Sequence, residues 1–216
     1  IAVLTRYIEI TPTERDQLYS TLTLKRLVRE ATDPRLLHAL IGFPNYAFKQ
    51  KAHKTTSLYE VIATSMHIDS EVITRLLSLR KPKVDMYLAA NPVVPLKQLK
   101  KFSLREEKSI HEALAANETI DDALFEMLLN KEKDVVKLLL WYQPISAERY
   151  RMVAAKITDP ELFAELGKNL QIDTVVIEEL LESGNIRLLE KLAGNRSMPA
   201  TALQALYAKQ LNTIFY

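Results

Sequence analysis

Four histidines, three pairs of adjacent carboxylates and 29 lysines and arginines carry whatever chemistry this 216-residue chain could perform. His38, His53, His67 and His111 would suit a metal site only at ligand spacing, and no two of them stand at i+4 or across a short loop. Glu107 and His111 are four apart but straddle a turn, which reads as local pairing. Glu106–Glu107, Asp121–Asp122 and Glu178–Glu179 are consecutive. Neighbours on a helix diverge by about 100°, so they do not face each other as an acid–base pair must. Gly42, Gly167, Gly184 and Gly194 are too scattered to cradle a phosphate. The absence of cysteine removes disulfide, iron–sulfur and thiol chemistry. The sequence therefore leads to no expected catalytic residue, metal or cofactor.

Binding is the chemistry that remains. Arg75, Lys100 and Lys101 fall on the outer side of expected helices, Arg80, Lys81, Lys83 and Arg105 in the turns between them, and Lys97 close by. Lys49, Lys51 and Lys54 lie upstream. Stacked along one edge, such residues would meet a phosphate backbone. Asp85, Glu106 and Glu107 dilute the stripe, and few aromatics interleave with it. Trp141 and Tyr142 are the other candidates. They stand where small or polar residues recur elsewhere, which makes them either local packing, the preferred reading, or an aromatic ligand contact.

The elements that must position these residues come from a repeat of 26 residues. Its anchors are Asn91, Asn117, Asn169 and Asn195, with Ser65 and Tyr142 in the remaining slots. Three positions before stand Ile62, Leu88, Leu114, Leu139, Leu166 and Leu192; three after stand Ile68, Val94, Ile120, Ile145, Ile172 and Met198. A fixed period of this size marks units that bury their apolar faces only against their neighbours. Pairs such as Val84–Leu88 and Ile110–Leu114 share one helical face, giving a first helix that ends at the anchor. The residue two before most anchors is small (Ala89, Ala115, Gly167), allowing close approach of neighbouring helices. Asn at the anchor suits a left-handed helix end. A second helix begins at Asp69, Pro95, Asp121, Ser146, Asp173 and Pro199, which are N-cap or first-turn residues. No stretch alternates long enough to predict strands.

Residues 1–57 follow the rule less well and read as irregular or capping helices, with starts at Asp33–Pro34 and Thr55–Ser57. Ile10–Pro12 and Leu40–Pro44 resemble repeat fragments. Residues 58–210 form the regular array, and 1–216 is expected to be a single domain. Both termini are apolar (Ile1–Leu4, Ile214–Tyr216), so the chain is expected to be a piece of a longer protein or to pack its ends on something.

Composition narrows the class. About half the residues are hydrophobic (48%) and 26% are charged, which excludes a disordered chain. No apolar run approaches the ~20 residues of a membrane span. With no cysteine and no signal peptide, a cytoplasmic location is expected. The net charge of +2 hides a gradient: residues 1–110 carry 18 basic against 11 acidic residues, and residues 111–216 carry 11 against 16. Such asymmetry can steer an anionic partner to one half.

Leu88–Ala–Ala–Asn91–Pro92–Val–Val–Pro95, Leu114–Ala–Ala–Asn117 and Leu192–Ala–Gly–Asn195 with Pro199 resemble the leucine-rich repeat variant, a bacterial helical repeat. The resemblance implies a right-handed α-solenoid of paired short helices, similar in form to HEAT and armadillo arrays. It implies no single activity. The chain is thus expected to be an all-α solenoid of about six two-helix repeats with irregular N-terminal helices. Its expected role is a non-catalytic scaffold binding a protein or peptide on its concave face. The alternative is nucleic-acid binding through the basic N-terminal half. An enzyme of the helical-repeat DNA glycosylase kind is the remaining option.

Overall fold

A computed structural model describes residues 21–42, 47–49 and 55–214. Those residues are overwhelmingly helical. The chain divides after Phe102 into two compact units. The expectations for Ile1–Leu4, Ile10–Pro12, Phe43–Pro44, Lys51 and Lys54 fall outside the described residues.

The first unit holds α1 (Thr21–Glu30), α2 (Pro34–Ile41), α3 (Leu58–Ala63), α4 (Ser70–Ser78), α5 (Pro82–Ala90) and α6 (Leu96–Ser103). Between α2 and α3 runs a short antiparallel hairpin, β1 (Ala47–Lys49) with β2 (Thr55–Ser57), pairing Phe48 with Thr56. The expectation of no strand is corrected there; three residues are too few for alternation to register in the sequence. Helices α1, α3 and α5 pack in succession, and α2 packs on α4. Residues 21–41 thus stack in the same alternating manner as the repeats that follow them.

The second unit holds α7 (Lys108–Ala115), α8 (Asp122–Leu128), α9 (Lys133–Tyr142), α10 (Ala147–Lys156) and α11 (Pro160–Phe163). A 3-10 turn over Ala164–Lys168 extends α11, and α12 (Thr174–Leu181), α13 (Ile186–Ala193) and α14 (Ala200–Ile214) complete it. First helices pack on first helices: α7 on α9, α9 on the 3-10 turn, the 3-10 turn on α13. Second helices do likewise, from α8 through α10 and α12 to α14. The apolar columns form the core between the layers. Leu114, Leu139, Leu140, Leu166 and Leu192 are essentially inaccessible, each worth about 1.5–3 kcal/mol of burial.

Capping explains where the second helices begin. Asp69, Asp121 and Ser146 accept from the amides of Val72, Leu124 and Arg149, satisfying first-turn donors that would otherwise be orphaned. Asp33 and Ser57 do the same for α2 and α3, as the sequence leads one to expect.

The anchor residues work differently from expectation. Asn91 and Asn169 lie in extended backbone (φ −85° and −70°), not in the left-handed region. Their value is in the side-chain amide. Asn91 Nδ2 donates to the carbonyls of Ala63 and Ser65, both at 2.8 Å. Asn195 Nδ2 reaches the carbonyls of Gly167 and Asn169 in the same way. Each Oδ1 turns back to accept from the amide two residues ahead: Val93 for Asn91, Thr119 for Asn117, Gln171 for Asn169, Ser197 for Asn195. The anchor therefore stitches one repeat to the one before it and shapes its own exit turn.

The fourth anchor is Gln143, not Tyr142. Gln143 is fully buried, and its Nε2 donates to the carbonyls of Ala115 and Asn117 at 2.9 Å. Its register is 26 from Asn117 and 26 from Asn169, so the array has no slip before the anchor. One residue is missing after it: Ile145 and Ser146 stand a place early relative to Ile120 and Asp121. Gln143 makes no turn onto its own backbone. Its Oε1 accepts from Arg149 Nη1 (3.3 Å), and the Ile145 amide pairs with the Gln171 carbonyl at 2.8 Å.

Candidate functional site: a groove beside Trp141

Placing the anchor at Gln143 moves Trp141 into the column of Ala63, Ala89, Ala115, Gly167 and Ala193. An indole stands where every other repeat has a small residue. It is half-buried at the end of α9, while Tyr142 beside it is 53% exposed and fills no internal gap. The following repeat is the one whose first helix finishes in a 3-10 turn, and that turn carries the partners of the indole.

Glu165, on the 3-10 turn, is 9% exposed. Its Oε2 accepts from Trp141 Nε1 (2.8 Å) and from the Lys168 ammonium (2.8 Å), and its Oε1 from Lys191 Nζ (2.8 Å). Burial pushes the carboxyl up, but hydrogen bonds from Lys168, Lys191 and Trp141 prevail and hold it down to about 2. The Lys168 ammonium also lies 4.9 Å from the Trp141 ring centroid, within cation–π range. Trp141 is thus pinned by its edge and by its face, which fixes the ring at low entropic cost to a ligand.

Two open clefts adjoin this cluster. One, of about 300 Å³, is lined by Trp141, Tyr142, Lys168, Leu170 and Gln171. The other, of about 400 Å³, runs from Lys168 and Leu170 to Lys191, Asn195 and Arg196. Lys168 and Leu170 line both, so the two form one groove. Leu170 is 60% exposed. Gly167 permits the groove wall: a Cβ there would come within 2.6 Å of the Lys191 Cβ and 3.0 Å of the Leu188 carbonyl.

The basic candidates of the first unit are also surface residues. Arg80, Lys83, Lys97 and Lys101 are exposed and make no ion pair among the described residues. Arg75 is exposed and donates to the His38 carbonyl at 3.2 Å, and Lys81 sits over the Tyr59 ring. Lys100 is exposed, and Arg105, in the second unit, is engaged by Glu107 at 2.8 Å. Only the backbone of Lys49 is described. Among the described residues no three potential ligands come together to hold a metal. His38 pairs with Asp69 at 3.2 Å, and His111 is buried with neither ring nitrogen hydrogen-bonded. Among the described residues, no helix is long and apolar enough to cross a membrane.

Sequence reasoning singled out Trp141 and Tyr142 but missed Glu165, Lys168, Leu170, Lys191 and Arg196. Adding 26 to Asn117 gives Gln143, and the residues on either side of successive anchors (Tyr142, Lys168, Leu170, Arg196) then fall on one edge. No protein-family model, no curated protein and no solved structure matches the chain. What is shown is an all-α protein; its class of activity rests on the geometry of this groove.

Proposed function

We propose that the chain is a non-catalytic scaffold that binds a protein or peptide segment at the groove between Tyr142 and Arg196. The observation that carries this is the exposed pair Tyr142 and Leu170 beside an immobilised Trp141, in a column otherwise kept small. Rigid aromatics with a polar handle dominate binding interfaces because they bury much area at little entropic cost. The same reading takes the 26-residue unit as the repeat of a right-handed α-solenoid akin to the leucine-rich repeat variant, in a cytoplasmic protein. The anchor-to-carbonyl bonds inside each unit, and the constant 26-residue spacing of the anchors from Ser65 to Asn195, support it.

Trp141 is the only tryptophan, so its fluorescence reports the groove directly. Peptides selected from a displayed random library should shift its emission, and Tyr142→Ala with Leu170→Ala should weaken them at least tenfold. Selected peptides that bind with unchanged emission and tolerate both substitutions would overturn the reading.

A second reading has its own observation. Arg80, Lys83, Lys97 and Lys101 are exposed cations of the first unit that make no ion pair among the described residues. Phosphate contacts release counterions, so nucleic-acid binding there would weaken steeply with salt and fall in Lys100→Glu/Lys101→Glu. Absence of DNA or RNA binding at low salt would remove it.

A further inference from the structure

The groove's donors and acceptors do not balance, and the imbalance specifies a ligand. Glu165 has little acceptor capacity left: Oε1 accepts from Lys191, and Oε2 from Lys168 and Trp141, three donors on about four lone-pair sites. Each ammonium has three N–H donors, and the bonds to Glu165 use one of each. Arg196 brings five more and is exposed, with no ion pair among the described residues. Against these stands one exposed acid in the lining, Glu190. The Arg196 end of the groove is therefore rich in unused donors. The Tyr142–Leu170 end is apolar.

The length of the groove is also readable. It passes the ends of three successive first helices, at Tyr142, Lys168 and Gly194. Packed helices are about 8–10 Å apart, so it spans roughly 16–20 Å. An extended chain rising about 3.3 Å per residue covers that with five or six residues. A polyanion is disfavoured, because residues 111–216 carry 16 acidic against 11 basic side chains. A single carboxylate would meet only the local surplus of donors.

Resting on the proposed scaffold role, we infer that the groove takes an extended segment of about six residues. It carries an aliphatic or aromatic side chain against Trp141, Tyr142 and Leu170. Two to four residues away, a carboxylate pairs with Lys168, Lys191 and Arg196.

A random hexapeptide library displayed on phage tests this, panned on the wild type and on Lys168→Gln/Arg196→Gln. Arg196→Ala alone serves as the variant that removes no described bond, and urea midpoints verify folding. Enriched wild-type sequences should pair Asp or Glu with an apolar residue at that spacing and shift Trp141 emission. Changing the acid to its amide, or using either variant, should weaken them about tenfold. Peptides that shift Trp141 emission without any acid preference would sink this inference and leave the scaffold reading standing. Failure to enrich any sequence that shifts the emission would sink both. A six-nucleotide thymidine strand that shifts the emission as strongly as the best acidic peptide would overturn the peptide assignment.

Discussion

Asn169 donates its side-chain amide to the main-chain carbonyl of Gln143, 26 residues earlier, at 2.8 Å. The same Nδ2 reaches the Leu140 carbonyl at 2.6 Å, and Oδ1 accepts from the Gln171 amide at 2.6 Å. One buried side chain thus satisfies the open end of the preceding helix and sets the turn into its own next helix. Leu140 and Gln143 end a helix whose last carbonyls have no partner within it, and in a packed interior water cannot replace the amide.

Truncating that amide should be costly. Asn169→Ala orphans two buried carbonyls and removes the turn bond, at about 3 kcal/mol in all. Asn169→Asp should cost at least as much, because an acceptor would then face two acceptors. Asn130→Ala, at an exposed turn where the side chain donates to the Glu126 carbonyl and accepts from Lys156, should cost under about 1 kcal/mol because water can replace both bonds. Urea unfolding measures all three; equal midpoints for Asn169→Ala and Asn130→Ala would refute the structural role assigned to the amide.

The helical fold and its buried columns were legible in the sequence because apolar residues at fixed spacing report burial, which is what packing selects. The helix starts at Asp69, Asp121 and Ser146 were legible for the same kind of reason: a cap is a local, one-residue chemistry. The function of the anchor was not, since a residue that suits a left-handed helix end also suits a long-range amide bond, and composition cannot separate them. Gln143 was hidden by the single-residue deletion after it, which shifts Ile145 and invites the register to be placed on Tyr142. Glu165 was invisible because its partners Trp141 and Lys191 lie 24 and 26 residues away. The exposure of Leu170 is readable only once the anchor is set at Gln143, which places it on the same edge as Tyr142 and Arg196.

Arg149 is the adjustment that the deletion requires. It donates to Asp122 (2.7 Å), the Ile120 carbonyl (2.9 Å), Gln143 Oε1 and the Pro144 carbonyl (both 3.3 Å), and lies over the Phe125 ring. Its side chain is only 11% exposed. Arg149→Leu should therefore cost about 2–3 kcal/mol by leaving Gln143 Oε1 and the two carbonyls without their donor. Arg151→Leu, two residues on and exposed, should be within about 0.5 kcal/mol of wild type. Thermal midpoints that fall equally for the two would mean that the bonds from Arg149 to Asp122, Gln143 and the two carbonyls add no stability.

Two glycines in the groove wall should respond in opposite ways to one methyl group. Gly167→Ala places a Cβ 2.6 Å from Lys191 Cβ and 3.0 Å from the backbone of Leu188 and Leu192, so α13 must move away. Overpacking of this kind costs about 1–3 kcal/mol, and the shift should also alter Trp141 emission through Lys191 and Glu165. At Gly194 the nearest atom is the Lys191 carbonyl oxygen at 3.7 Å, so Gly194→Ala should be neutral or slightly stabilising. Loss of stability in both, or in neither, would contradict the close approach of the 3-10 turn to α13.

Protonating Glu165 in acid should cost the folded state stability, because its carboxylate is held by Lys168, Lys191 and Trp141. The Glu165 pKa is held at about 2 in the folded protein, below the roughly 4.3 of an unfolded glutamate. A depressed carboxyl contributes stability that is present above the unfolded value and is lost as pH falls toward the folded one. Between about pH 4.5 and 2 the wild type should therefore lose on the order of 2–3 kcal/mol more than Glu165→Gln, in which the titrating group is gone. The Asp69, Asp134 and Asp159 carboxyls are depressed as well, but they titrate in both proteins and cancel in the difference. Denaturant titrations at pH 5 and pH 2.5, followed by Trp141 emission, measure it. Parallel pH dependences in the two proteins would show that the carboxylate is not held by Lys168, Lys191 and Trp141 in solution.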